Sequence, residues 1–559
     1  MMDQRIENLL NMSLSVTPQE REKSPDLESG YNKTEETWEI IVKYIGNIED
    51  LKLKYPEIKI TRLLNQYAVI VTPERYVEEI SKEPYIEFVE KPKRMYFEII
   101  NGKRESCITS VQTRTDNRQG LFGKGVIVAV IDTGIDATSQ EFRNKDGTTR
   151  ILNIWDQSTN IEYDRTQINN ALKEGRFLDI PGRDFVGHGT DVSIIACGGS
   201  GVASQSDIIV VKMGLAQKDS FPRTTQLMEA VDYVVRKGIE YDMPVAINIS
   251  FGNNYGDHTG STFIETFMND ISRNWKTSIC VGSGNEGLGA THAGGSLKSY
   301  DEKIVEVAIS SYETSVNIQI WKDYWDDLNV EIITPSGKNL GKIDFYNRIE
   351  RKTAEGTIIL SLYGEPSPYS LRQEIYIDMI PKDEYIAEGI WKIKITSGKV
   401  VSGRYDMWLP AIGALNKGTG FTQPDSSMSI TIPSTAEKVI TVGAYNSKTD
   451  TAAPFSGRGF VAMIGGTTIA KPEIVAPGVD IFTTEFNRST GTSFATPFVT
   501  GSAALLMEWG IIKGNDPYLY GDKVKAYLIK GARQLPGYEM WPNPQLGWGA
   551  LCVKDSLPL

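Results

Sequence analysis

Val126-Ile-Val-Ala-Val-Ile-Asp-Thr-Gly134 decides the fold. Six residues, 126–131, are continuously apolar, and the run stops at an acid. An unbroken apolar run of this length suits a parallel strand covered on both faces. Asp132 then stands at the C-terminal end of a buried strand, where ligand crevices form in open α/β sheets. Working outward, Ile208–Val211 reads as a second strand, Thr224–Gly238 as a helix and Val245–Ser250 as a third strand. Thr277-Ser-Ile-Cys-Val-Gly-Ser-Gly-Asn-Glu-Gly287 reads as a strand running into a glycine-rich turn. This alternation predicts an α/β fold with a doubly wound parallel sheet.

The chain holds only three histidines in 559 residues. One, His188, lies in Asp184-Phe-Val-Gly-His-Gly-Thr190, ahead of an apolar stretch, 192–197, that reads as a helix. Far downstream, Gly491-Thr-Ser-Phe-Ala-Thr-Pro497 opens an apolar segment, 493–509, that reads as a buried helix. A serine hydroxyl needs a base within hydrogen-bond reach, and the base needs an acid to fix its tautomer. Asp132, His188 and Ser493 supply the three types. A nucleophile at a helix N-terminus gains from the positive local potential as negative charge develops. The developing oxyanion needs preorganised donors. The Asn285 side-chain amide and the Ser493 backbone N–H are the candidates, with Gly284 and its neighbours permitting close approach.

The order Asp132, His188, Ser493 is that of subtilisin. Ile131–Asp136, His188–Thr190, Asn248–Gly252, Gly282–Gly287, Lys471–Gly478 and Gly491–Pro497 closely resemble the motifs of the subtilisin-like serine proteases. The resemblance spans most of 120–300 and 420–550. It implies peptide-bond hydrolysis through an acyl-enzyme, with Ser250, Phe251 and Gly252 as the strand that pairs with the substrate backbone. Two departures stand out: Asp191 replaces a common second histidine, and Phe494 replaces the usual methionine after the nucleophile. The segment from His188 to Ile208 is too short for the family's calcium loop. No metal and no cofactor are expected.

Residues 1–37 are polar and read as a loosely ordered arm. Trp38–Tyr44, Ile58–Leu64, Tyr67–Val71 and Tyr85–Glu90 read as strands, and 73–83 as a helix. This small α+β unit resembles the family's propeptide, which assists folding and blocks the site until cleaved. Between 303 and 411 two-residue alternation predicts an inserted β-sandwich, jelly-roll-like, that accounts for the 208 residues separating Asn285 from Ser493. The expected domains are therefore 1–103 (arm and propeptide), 104–302 (catalytic, first part), 303–411 (insert) and 412–559 (catalytic, second part). Self-cleavage is expected around 95–106, just after Phe97 or at Asn101-Gly102.

A subtilisin with such a propeptide, such an insert and no signal peptide resembles the Csp proteases of clostridial spores. The resemblance implies activation of a cortex-lytic enzyme precursor during germination, in the spore. Some members of that subfamily have lost triad residues and act as regulators or germinant sensors. A cytoplasmic housekeeping subtilisin is the remaining alternative. The partners implied are a protein substrate and the chain's own propeptide.

Composition sets the exclusions. A net charge of −12 argues against nucleic acid as a partner. No apolar run approaches the roughly 18 residues that span a bilayer. The first ten residues carry no apolar signal core. The four cysteines are widely spaced, without a CxxC pair, and predict a reducing interior with no disulfide. His258 and His292 read as surface or loop residues, and Trp321, Trp325 and Trp391 as sandwich core or interface.

Overall fold

The computed structural model describes residues 4–93, 96–97, 104–112, 120–214, 222–345, 349–484 and 487–558. Its centre is a nine-stranded sheet. The strand Ile127–Asp132 lies in the middle, paired in parallel with Val245–Ile249 on one side and Asp207–Lys212 on the other. Thr277–Gly282, Ile440–Asn446 and Ile474–Pro477 extend the sheet in parallel beyond Val245–Ile249. All six residues 126–131 are fully buried, and they divide by parity. Val126, Val128 and Val130 pack against the helices His188–Cys197 and Thr492–Met507. Ile127, Ala129 and Ile131 pack against the helices Thr224–Glu240 and Phe263–Ile271. Each side chain has a helix to meet, which is why the run carries no polar residue.

The insert is two antiparallel sheets closed on one apolar core containing Val307, Ile318, Ile377 and Trp391. Its strands reach beyond the predicted 303–411. His292–Ser296 pairs with Arg404–Trp408, and Gly420–Phe421 pairs with the strand Glu302–Ile309. His292-Ala-Gly-Gly-Ser296 carries no alternating apolar pattern, so its sequence does not mark it as a strand.

The N-terminal unit is built on a five-stranded antiparallel sheet packed against the helix Glu74–Ser81. Alternation sorts its faces. Trp38, Ile40 and Val42 pack under that helix with Val77 and Ile80. Ile41, Tyr67, Val69 and Phe88 face the catalytic helices instead. Phe88 meets Phe263 edge-on at 4.8 Å, and Tyr67 meets Phe267 at 5.3 Å. The expectation of a loose arm is corrected. Asn8–Ser15, Pro18–Glu22 and Pro25–Glu28 are helical, and Leu9, Met12, Val16 and Leu27 pack on Leu360, Leu362 and Tyr376 of the insert.

The expectation of no disulfide is also corrected: Cys107 and Cys552 are bonded, with Cα atoms 4.8 Å apart across 445 residues of sequence. Cys197 and Cys280 are buried free thiols. His258 and His292, expected near the surface, are buried and stack on Trp408 at 4.1 and 4.9 Å between ring centroids. Among the described residues, one helix is long and apolar enough to cross a membrane. It is Thr492–Ile512, which lies largely buried in the core.

Candidate active site

Asp132 ends its strand fully buried, and the adjacent strand holds it through the Met213 N–H on its backbone carbonyl at 2.8 Å. His188 is the first residue of the helix His188–Cys197. Its Nδ1 lies 2.6 Å from Asp132 Oδ1. An ionised carboxylate only accepts, so the proton sits on Nδ1 and a neutral ring keeps the Nε2 lone pair for base work. The Thr133 N–H donates to the same carboxylate oxygen at 2.7 Å.

Asp184, which sequence reasoning passed over, ties this corner together. Its carboxylate accepts from Thr133 Oγ1 at 2.9 Å, from the Thr190 N–H and hydroxyl at 2.8 Å each, and from the Gly187 N–H at 2.8 Å. Burial raises its pKa, but these donors outweigh burial and hold it below the ordinary carboxylate value. Thr133 in turn accepts from the Gly189 N–H at 2.8 Å. The turn before the histidine and the turn after the aspartate are thus locked to each other. The motif Asp-x-x-x-His offered the only sequence signal.

Ser493 is the second residue of the helix Thr492–Met507 and is 1% exposed. Its hydroxyl donates to the Ser250 carbonyl at 2.9 Å. The ring of Phe494, the next residue, meets the His188 ring edge-on at 5.1 Å, which brings the start of the Ser493 helix and His188 to one place. Asn285 lies opposite, its Oδ1 accepting from the Thr492 N–H at 3.1 Å. That bond fixes the amide beside the N-terminal turn of the helix that carries Ser493. Asp191 sits in the first turn of the His188 helix, on its buried side.

Ser250, Phe251 and Gly252 leave the central sheet just behind Ser493. The Ser250 hydroxyl donates to the Ser493 carbonyl at 2.9 Å and accepts from Asn248 Nδ2 at 2.8 Å. Thr500, two turns along the helix from Ser493, donates to Asn248 Oδ1 at 2.9 Å. Strand and helix are therefore hydrogen-bonded at two levels. Phe251–Gly252 pairs antiparallel with Tyr96–Phe97 of the segment that follows the N-terminal unit. Gly252 and Gly284 flank Thr431. A Cβ on Gly252 would stand 2.7 Å from Thr431 Oγ1, and one on Gly284, at φ +95°, would stand 2.6 Å from Thr431 Cγ2. Any larger residue at either position would push into Thr431.

The N-terminal unit is pinned beside this strand by buried charge. Lys93 Nζ pairs with Glu7 at 2.8 Å and with Glu90. The Lys93 backbone exchanges two hydrogen bonds of 2.8 Å with Thr224, at the start of its helix. Glu90 accepts from the Phe263 N–H at 3.3 Å, at the start of another helix, where a carboxylate is favoured by the helix dipole. Among the described residues no group of three or more His, Cys, Asp or Glu forms a metal-binding cluster.

Residues 4–93 match the Csp protease B prodomain, and residues 123–364 and 411–549 match the subtilase family. The solved structure of the Clostridium perfringens CspB protease superposes with a TM-score of 0.76. It is 37% identical in sequence and covers 81% of this chain and 96% of that one. The serine protease AprX of Bacillus subtilis is 34% identical over 163 residues, 25% of this chain and 34% of AprX. The PI-type proteinase of Lactococcus lactis subsp. cremoris is 22% identical over 474 residues, 73% of this chain and 24% of that protein. The chain thus spans about a third and about a quarter of the length of these two curated relatives. The chain belongs to the subtilase family of serine proteases and carries a Csp protease B prodomain ahead of its catalytic domain.

Proposed function

We propose that the chain is a serine endopeptidase that cleaves its own prodomain and then a specific protein substrate. The carrying observation is the Asp132–His188 hydrogen bond of 2.6 Å, with Phe494, the neighbour of Ser493, set against the His188 ring. Residues 98–103, where the cut is expected, lie outside the described residues. Ser493 is the nucleophile, His188 the general base and acid, and Asp132 the group that orients and stabilises the imidazolium. Asn285 Nδ2 and the Ser493 N–H stabilise the oxyanion. Ser250, Phe251, Gly252 and Gly284 hold the substrate backbone. The antiparallel pairing of Tyr96–Phe97 supports this, since a protein substrate would add a strand in the same way.

The substrate we favour is the precursor of a spore cortex-lytic enzyme, acted on during germination. This reading is supported by the resemblance to the CspB protease over 96% of that chain. A location outside the reducing cytoplasm, in the outer layers of the spore, fits the Cys107–Cys552 disulfide. The test is germination of spores carrying Ser493→Ala. Loss of precursor processing with arrested cortex hydrolysis is the expected result. Normal germination would instead favour a regulator or germinant sensor built on the subtilisin scaffold.

A further inference from the structure

We infer that the cavity where the N-terminal unit, the catalytic domain and the insert meet is a binding site for a small organic cation, an ammonium group beside an oxygen acceptor. The cavity holds about 70 Å³, several times what a single water needs. Glu7 and Lys93 line it from the N-terminal unit, Asp257 and Phe263 from the catalytic domain, and Trp321 and Glu374 from the insert. Strand pairing explains what the insert presents. Trp321 stands opposite Glu374 in the antiparallel pair Val316–Asp323 and Arg372–Pro381. Neighbours along a strand alternate in face. Ile318, Ile320, Ile375 and Ile377 belong to the sandwich core, so Gln319, Trp321 and Glu374 point the other way, toward the cavity they line.

The lining is short of positive charge. Five carboxylates, those of Glu7, Glu90, Asp257, Glu365 and Glu374, share it with one cation, Lys93. Lys93 is committed to Glu7 and Glu90. Asp257 accepts from the Thr259 N–H at 3.0 Å, from the Ser261 hydroxyl at 2.8 Å and from the Ser370 hydroxyl. Glu374 is left over. It is 5% exposed and, among the described residues, accepts one hydrogen bond, from Asn8 Nδ2 at 3.5 Å. Burial, and then Glu7, push its pKa up to about 8. A buried carboxylate in such company takes a proton or a further cation.

The donors beside it are as poorly matched. Gln319 is 3% exposed, and its Oε1 accepts from the Gly256 N–H at 2.9 Å. Its Nε2 has no acceptor among the described residues. The buried Trp321 Nε1 has none either. Buried donors left without acceptors are costly. One ligand satisfies all three groups if its ammonium donates to Glu374 and its oxygen accepts from Gln319 and Trp321. The surplus of carboxylates favours an uncharged oxygen, a hydroxyl or an amide, over a ligand carboxylate. An open groove of about 400 Å³ adjoins the cavity and shares Pro366, Ser367, Tyr369 and Ser370 with it. Its outer part carries Tyr324 and Trp325, both half-exposed, and aromatic faces attract ammonium groups. A molecule bound in the cavity touches all three units, so its binding energy adds to their association.

The test is titration calorimetry of full-length Ser493→Ala, which keeps the N-terminal unit in the same chain. The probes are ethanolamine, glycinamide and glycine, with ethanol and sodium chloride as controls. Ethanolamine and glycinamide should bind saturably at one site, glycine more weakly, and the controls not at all. Glu374→Gln should weaken ethanolamine binding by about ten- to a hundred-fold, the loss of one charged hydrogen bond. Trp321→Phe keeps the ring and removes the N–H, and should weaken it by about two- to tenfold. This second variant carries the test if Glu374→Gln does not fold. The inference is overturned if no probe binds, or if ethanol binds as well as ethanolamine. Binding that both variants leave unchanged places the ligand elsewhere and overturns it too. Tighter binding of glycine than of ethanolamine overturns the uncharged acceptor and gives the two donors to a carboxylate.

Discussion

His258 should make the catalytic domain and insert lose stability on acidification, by an amount that can be worked out. Its ring is fully buried and stacked on Trp408 of the insert at 4.1 Å, nearly parallel. Its two nitrogens face the Ile430 carbonyl at 2.7 Å and the Asn254 carbonyl at 3.3 Å. Burial dominates and lowers the pKa from 6.5 to about 4, against the two carbonyls, which raise it. In the unfolded chain the ring binds a proton below its ordinary pKa of about 6.5. In the fold it stays neutral until about pH 4. Between those values the unfolded state holds more protons, so stability rises with pH and is lost as pH falls. From about pH 7 to pH 5 the loss from this one group is about 2 kcal/mol, at 1.36 kcal/mol per unit of pKa difference. Buried carboxylates such as Glu265, raised by burial to about 7, act in the opposite sense, so the wild-type curve alone is mixed. The assay is therefore a difference: denaturant unfolding of Ser493→Ala with and without His258→Gln, at pH 7 and at pH 5. The gap between the two proteins should shift by about 2 kcal/mol in favour of the glutamine variant at the lower pH. An equal gap at both pH values would refute the reasoning.

Other expectations concern the site and its frame. Asp132→Asn should leave folding intact and lower kcat by about ten-thousand-fold, because the imidazole loses its tautomer, measurable on a peptide substrate. Asn285→Ala should lower kcat by about a hundred- to a thousand-fold with little change in KM. Asn248→Ala breaks the chain from Thr500 to Ser250 and leaves buried groups unpaired, costing about 1–3 kcal/mol in denaturant unfolding. Cys552→Ser should cost about 2–5 kcal/mol through the lost cross-link. In the native wild type, an alkylating reagent should spare Cys197 and Cys280, whose thiols burial pushes up to about 12.

Much of the fold was legible because its signals are local. The apolar run 126–131, the acid that ends it and the motifs at 188–190 and 491–497 each carry their own meaning within a few residues. Tertiary structure had only to bring them together, and it brought Asp132, His188, Ser493, Asn285 and Ser250–Gly252 to one cleft. What escaped depends on distant partners. Asn253-Asn-Tyr-Gly-Asp-His258 looks like a polar loop. Only Trp408 and Ile430, some 150 to 172 residues on, make His258 a buried residue. No spacing rule links Cys107 to Cys552 across 445 residues. The arm 4–28 is polar on average, yet Leu9, Met12 and Leu27 share a face that only the insert can cover. Asp184 escaped because its donors come from three residues, Thr133, Gly187 and Thr190, on both sides of the corner.

The central claim is a working Asp132–His188–Ser493 triad. A denaturing gel with intact mass, comparing purified wild type and Ser493→Ala, tests it most directly. Two fragments from wild type and one full-length chain from the variant are the expected result. One uncleaved chain in both, or two fragments in both, would contradict it.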